Sequence, residues 1–154
     1  MATSLVEGKN FMSDDKIFVD TNILVYGHDM DAGQKHQIAQ NLLADLWNHR
    51  SGVLSIQVLQ EFYVTLTRKV LHPLSPGTVR NLIRDYISWQ VEVNDTLSVL
   101  NASRIEENYR ISFWDALIVS AASKAKVSKI LTEDLQPGQM IEGILLENPF
   151  HSLP

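Results

Sequence analysis

The chain has 154 residues, of which 45% are hydrophobic and 20% charged, enough for one globular domain with a sizeable core and too short for a second of ordinary size. It contains no cysteine, which excludes disulfides, thiolate zinc sites and a cysteine nucleophile. Its formal net charge of −5 argues, taken alone, against a polyanionic partner.

No apolar run approaches the roughly 20 residues needed to span a bilayer, and the opening residues lack the charged-then-apolar layout of a signal peptide. A soluble, cytoplasmic protein with no membrane partner is therefore expected. Residues 1–15 show no clear period and read as an irregular N-terminal extension, 16–148 as the folded domain and 149–154 as a tail.

Short β-branched apolar runs alternate along the chain with longer segments of helical period. This pattern predicts βαβ units and an α/β fold with a parallel sheet. Strands are expected near 16–20, 53–56, 91–93, 129–131 and 144–146. After the first strand and a short helix, Gln34 to Asn48 places Ile38, Leu42, Leu43 and Leu46 on one helical face. Gln57 to Val70 does the same with Leu59, Phe62, Leu66 and Val70, until the loop from Leu71 to Gly77 stops it. Thr78 then reads as the N-cap of a helix ending near Ser88, and a further helix covers Thr96 to Tyr109. The last begins at Ser112 or Phe113, with Leu117, Ile118, Ala121, Ala122 and Ala125 as a narrow apolar stripe.

Four acidic residues occupy special places in this plan. Asp20 ends the run Lys16-Ile17-Phe18-Val19, and Asp134 follows Ile130-Leu131-Thr132. Glu61 borders the buried stripe of its helix, soon after the second strand, and Asp115 lies in a first helical turn, where the helix dipole favours negative charge. Ligands of open parallel sheets bind outside the carboxyl ends of the strands, where all four acids can meet. Carboxylates packed together repel one another and hold protons unless a hard cation relieves them. Mg²⁺ or Mn²⁺ suits such oxygen donors, lowers the pKa of bound water and offsets the charge of a phosphodiester. With the four charges so neutralised, the remaining surface is close to neutral. The basic clusters Arg68-Lys69-Arg80-Arg84 and Lys124-Lys126-Lys129 then read either as solvated helix faces or as polyanion contacts.

The wording around the acids is more specific than the acids alone. Phe18-Val19-Asp20-Thr21-Asn22-Ile23-Leu24-Val25-Tyr26, Phe113-Trp114-Asp115-Ala116-Leu117-Ile118 and Leu131-Thr132-Glu133-Asp134-Leu135 follow in order, with Glu61 on a separate helix. Over roughly residues 16 to 148 this resembles the PIN-domain family, and within it the VapC-type toxins of bacterial toxin–antitoxin pairs. The resemblance implies a single PIN-like domain with a central five-stranded parallel sheet flanked by helices. It also implies a Mg²⁺- or Mn²⁺-dependent endoribonuclease acting on RNA, a homodimer, and a small antitoxin protein that blocks the site. Carried over by motif, Asp20, Glu61, Asp115 and Asp134 form the catalytic and metal-binding set. Asp134 matches the most variable of the family's acids, so that action through water or replacement by Glu133 stays open.

Two polar neighbours complete the candidate set: Asn22 either caps the short helix after the first strand or orients Asp20, and Thr132 either bonds a site carboxylate or ends its strand.

Other chemistries fit less well. Asp29-Met30-Asp31-Ala32-Gly33 starts like a calcium loop, but the glycine is one place early and the twelfth position is Gln40. The five histidines contain no H-x-x-x-H pair, and no glycine-rich phosphate loop is present. Asp20-Thr21-Asn22 lacks the second aspartate of an aspartyl-phosphatase motif. Trp47, Trp89 and Trp114 read as core or interface aromatics before base-stacking ones. The rival to a nuclease is a PIN-like module that binds RNA or a partner protein without cutting.

Overall fold

The computed structural model describes residues 15–153. The expected N-terminal extension lies outside the described residues but for Asp15. Six strands form one sheet: β1 (Ile17–Val19), β2 (Gly52–Ser55), β3 (Gln90–Glu92), β4 (Lys129–Leu131), β5 (Met140–Ile141) and β6 (Ile144–Glu147), ordered β3-β2-β1-β4-β6-β5. Between them run α1 (Thr21–Tyr26), a 3-10 turn (Met30–Ala32), α2 (Gln34–His49), α3 (Ile56–Arg68), α4 (Pro76–Tyr86), α5 (Thr96–Tyr109) and α6 (Phe113–Lys124).

The five expected strands are all present and mutually parallel. A sixth, β5, adds an antiparallel edge to the five parallel strands, pairing with β6 through Ile141↔Ile144 and Met140↔Leu145. Its two residues are too few to show a period. The two-residue connection Glu142-Gly143 has φ of 52° and 77°, both in the left-handed region that the tightest hairpin turns require. Glu142 holds this conformation while Arg104 and the Tyr109 hydroxyl donate to its carboxylate.

Central β2 is buried at every position, as a strand covered on both faces must be. The core runs from Phe18 and Val19 of β1 through Val53 and Leu54 to Ile130, Leu131 and Leu146. From the helices, Ala39, Leu43, Leu46, Leu59, Phe62 and Leu66 close over it, while Ile38, Leu42 and Val70 are only partly buried at its margin. The α6 stripe is wider than the pattern indicates: every residue from Ala116 to Ala122 is buried, because this helix lies between α5 and the strands β2 and β3. Asn101 of α5 donates to Ser120 within that contact at 3.0 Å.

One helix start also differs. Ser75, not Thr78, caps α4, accepting from the Thr78 backbone at 3.2 Å with Pro76 in the first turn. Proline has no N–H to lose and a φ already set for a helix, so the helix begins earlier than the threonine suggests. Phe150, in the segment set apart as a tail, is buried and meets Tyr26 edge-on at 5.3 Å.

The Trp89 ring lies so close to the Gly52 backbone that a Cβ there would stand 2.2 Å from it. Gly52→Ala is therefore expected to cost about 1–3 kcal/mol through overpacking. A lower urea midpoint at unchanged m value would register it.

Candidate active site

The strand order reverses between β1 and β4. From β1 the chain moves outward to β2 and β3, and the later strands fill the other side. Such a switch point leaves a crevice at the carboxyl ends of the two central strands. Asp20 follows β1 and Thr132 follows β4, so both stand at that crevice.

Asp20 is only 5% exposed. It is also the N-cap of α1, one oxygen accepting from the Thr21 backbone at 2.7 Å and the other from the Thr132 hydroxyl at 2.7 Å. The same hydroxyl accepts from the Asp134 backbone at 3.2 Å. One buried threonine thus fixes the carboxylate of β1 and the loop carrying Asp134.

Glu61, on α3, is tied to α1 by the Thr21 hydroxyl, which donates to it at 2.5 Å. Gln57, one turn earlier and buried, donates weakly to Glu61 at 3.4 Å and to the Trp114 carbonyl at 3.2 Å, linking α3 to the start of α6. Asp115 follows Trp114 in the first turn of α6, where Ser112 caps the helix by accepting from the Asp115 backbone at 3.0 Å. Glu61, Asp134, Thr21 and Asn22 share an open groove of about 710 Å³ that continues along α3 to Lys69 and Leu71.

The acids feel one another. Burial pushes the Asp20 carboxyl up to about 7; the bonds from Thr132 and Thr21 pull it down, and the charges of Asp134 and Asp115 raise it further. Asp115 is also raised, first by burial and then by Asp134 and Glu61, against the pull of Ser112. Asp134 thus acts on both Asp20 and Asp115, and Glu61 on Asp115. Among the described residues, no three or more His, Cys, Asp or Glu side chains stand in the arrangement that encloses an ion. The donor chemistry nevertheless fits a hard divalent cation: all the donors are carboxyl oxygens, and burial and like charge, which raise the most buried of them, are what a cation would offset.

Asn22 departs from the capping role, because Asp20 already occupies the N-cap. Instead its oxygen accepts from the Glu133 backbone at 3.3 Å, while its amide nitrogen is buried without a partner. Glu133 turns to Tyr26, which donates to it at 2.7 Å, and to Lys35, with which it forms an ion pair. Asp134 is left facing the groove. Thr21 and Gln57 carry no site role in the sequence reading, and Ser112 appears there only as a possible helix start. The i to i+4 spacing of Gln57 and Glu61 and the Ser-x-x-Asp pattern from Ser112 to Asp115 were the local signals for two of these contacts.

The sequence profile of the PIN domain matches residues 17–139. The chain belongs to the PIN-domain family. No curated protein matches the sequence. Among solved structures, VapC20 of Mycobacterium tuberculosis, a sarcin-ricin loop cleaving toxin, is similar at 22% identity and a TM-score of 0.61, over 77% of this chain and 90% of that one. A toxin–antitoxin complex from Klebsiella pneumoniae is similar at 16% identity and a TM-score of 0.64, over 87% and 98%. DNA-bound VapBC from Salmonella typhimurium gives 18%, 0.62, 87% and 98%. At these identities the likeness is one of fold, and the PIN fold here is the one those toxins carry.

Two outcomes follow from the environment of Asp20. A carboxyl whose folded pKa lies above its unfolded value binds protons more tightly when folded, so stability falls as pH rises between about 4 and 7. Asp20→Asn, which keeps an oxygen for Thr21, is expected to flatten that slope in denaturant melts run in chelator. Thr132→Val removes a bond that favours the charged form, so it is expected to carry the fall to higher pH in the same melts.

Proposed function

We propose that this PIN domain is a metal-dependent endoribonuclease that hydrolyses RNA phosphodiester bonds, and that it acts as the toxin of a toxin–antitoxin pair. The observation that supports the reading is Asp20, buried where the strand order reverses and raised to about 7 by burial, with the charges of Asp134 and Asp115 adding. Asp20, Glu61, Asp115 and Asp134 would hold the cation, Mg²⁺ with Mn²⁺ as substitute. When bound, such a cation supplies charge neutralisation at the phosphodiester and lowers the pKa of a nearby water.

The chain's own residues do the positioning. Thr132 ties the Asp20 carboxylate after β1 to the backbone of the loop that carries Asp134 after β4. Thr21 and Gln57 orient Glu61 from either side. Ser112 starts α6 so that Asp115 sits at its positive end, which opposes part of the rise that burial imposes on it. Lys69, where the groove runs past the end of α3, offers a positive charge to an RNA backbone.

The antitoxin and the homodimer rest on the likeness to the VapC-type toxins. Exposed Leu97 and Leu100 on α5, 71% and 68% accessible, leave apolar surface for a protein partner. No helix among the described residues is long and apolar enough to cross a membrane.

Structured cellular RNA incubated with the protein and Mg²⁺, Mn²⁺ or chelator tests the reading. Discrete products are expected with metal only, and Asp115→Asn is expected to reduce their rate by roughly a hundredfold or more, the scale of losing a transition-state charge stabiliser. Salt-sensitive RNA binding with no metal-dependent product would favour the non-cutting module instead. Thermal melts give a second expectation. Metal at about 100 times its dissociation constant is expected to stabilise the wild type by about 2.7 kcal/mol, and Asp20→Asn by less.

A further inference from the structure

A second cavity lies at the amino ends of β1, β2 and β3, the edge of the sheet opposite the acids. It encloses about 570 Å³, a size that suits a small organic ligand. Lys16 and Arg50 line it beside Trp47 and Trp89, and Asn48 and Gln90 add two amides; no acidic side chain is among its lining residues. In a chain with net charge −5, a wall of two cations without a carboxylate is a local reversal of sign. Neither Lys16 nor Arg50 forms an ion pair with a described residue.

The two indoles are built into this wall. Trp89 is seated on the Gly52 backbone, where no side chain larger than hydrogen fits. Trp47 meets Trp89 at 5.4 Å and Tyr86 at 5.2 Å between ring centroids, both edge-to-face, and is still 40% exposed. A partly exposed indole held by two other rings presents an ordered aromatic face at low entropic cost. Aromatic faces of this kind stack on nucleobases whatever the base. Arginine and lysine bind phosphate by charge-assisted hydrogen bonds. Gln90 donates to Glu92 at 2.9 Å and keeps its oxygen for another donor. Aromatic face, paired cations and amides in one enclosure match a base, a phosphate and a base edge.

We propose that this cavity is a nucleotide-binding site separate from the acidic groove. It takes one nucleoside monophosphate unit, free or at the end of an RNA strand. Trp47 and Trp89 receive the base, and Lys16 and Arg50 the phosphate.

Arg50 offers a clean variant. It ends α2 at φ 52° and ψ 40°, a left-handed conformation that glycine adopts without strain. Arg50→Gly therefore removes the guanidinium while leaving the backbone at least as stable, which a thermal melt verifies before binding is measured.

The three tryptophans supply the readout. Trp114 stands beside Asp115, far from this cavity in the fold, and so serves as an internal control. Indole N–H signals of the full chain, assigned by Trp→Phe variants, are followed by NMR in chelator while UMP, AMP or a 5′-phosphorylated RNA trinucleotide is added. Saturating shifts of the Trp47 and Trp89 signals with a Kd of about 1 mM or tighter are expected, with Trp114 unmoved by UMP or AMP. Uridine and inorganic phosphate, each half of the ligand, are expected to bind at least tenfold more weakly. Arg50→Gly is expected to weaken UMP about tenfold or more. Tighter binding of the trinucleotide than of UMP would assign the site to RNA ends, and the reverse to free nucleotides. Shifts confined to Trp114, no saturable shift, or an Arg50→Gly protein that binds like wild type would overturn the proposal.

Discussion

The hydrogen bond from the Thr132 hydroxyl to Asp20 joins the carboxyl ends of the two central strands. The Asp20 carboxylate and the loop that carries Asp134 both depend on it. β1 and β4 are already locked by Ile17↔Lys129 and Val19↔Leu131 pairing and by the Asp20 backbone donating to Leu131 at 3.0 Å. Register therefore dictates that threonine and aspartate face one another. A buried carboxylate without donors would hold its proton far above neutrality. The bonds from Thr132 and Thr21 oppose that and leave Asp20 at about 7.

The opposite side of α1 is held by aromatic packing. His28, just beyond that helix, meets Phe62 of α3 and Tyr86 of α4 edge-on, each at 5.6 Å, and shares a 2.7 Å hydrogen bond with the Tyr86 hydroxyl. Burial, with the charge of His36 adding, pushes His28 down to about 4, so the ring stays neutral in ordinary buffers and the contact persists. Trp47 and Trp89 extend the same cluster to the amino edge of the sheet. One continuous aromatic wall thus fixes the helix that Asp20 caps and shapes the second cavity.

Much of this was legible in the residues because its causes are local. Apolar runs ending in an acid mark strand ends, and a parallel sheet brings such ends to one edge. Features that depend on distant partners were not. The Thr21–Glu61 contact joins residues 40 apart and Gln57–Trp114 residues 57 apart, and no local pattern encodes either. Asn22 lies where a cap is plausible, but its oxygen meets Glu133 because the strand-end aspartate took the N-cap first. The β5 pairing rests on two residues and a positive-φ Glu142 braced by Arg104 of a separate helix, and nothing in a two-residue run announces it.

Burial and the charges of Asp134 and Asp115 raise the Asp20 carboxyl, so a cation bound at the acidic edge is expected to displace a proton from it. Calorimetric titration with Mn²⁺ in two buffers of different ionisation enthalpy, at pH 6 and at pH 8.5, measures that exchange directly. The account predicts release of about one proton per bound ion at pH 6 and almost none at pH 8.5. Binding at pH 6 without proton release, or no binding at either pH, would contradict it.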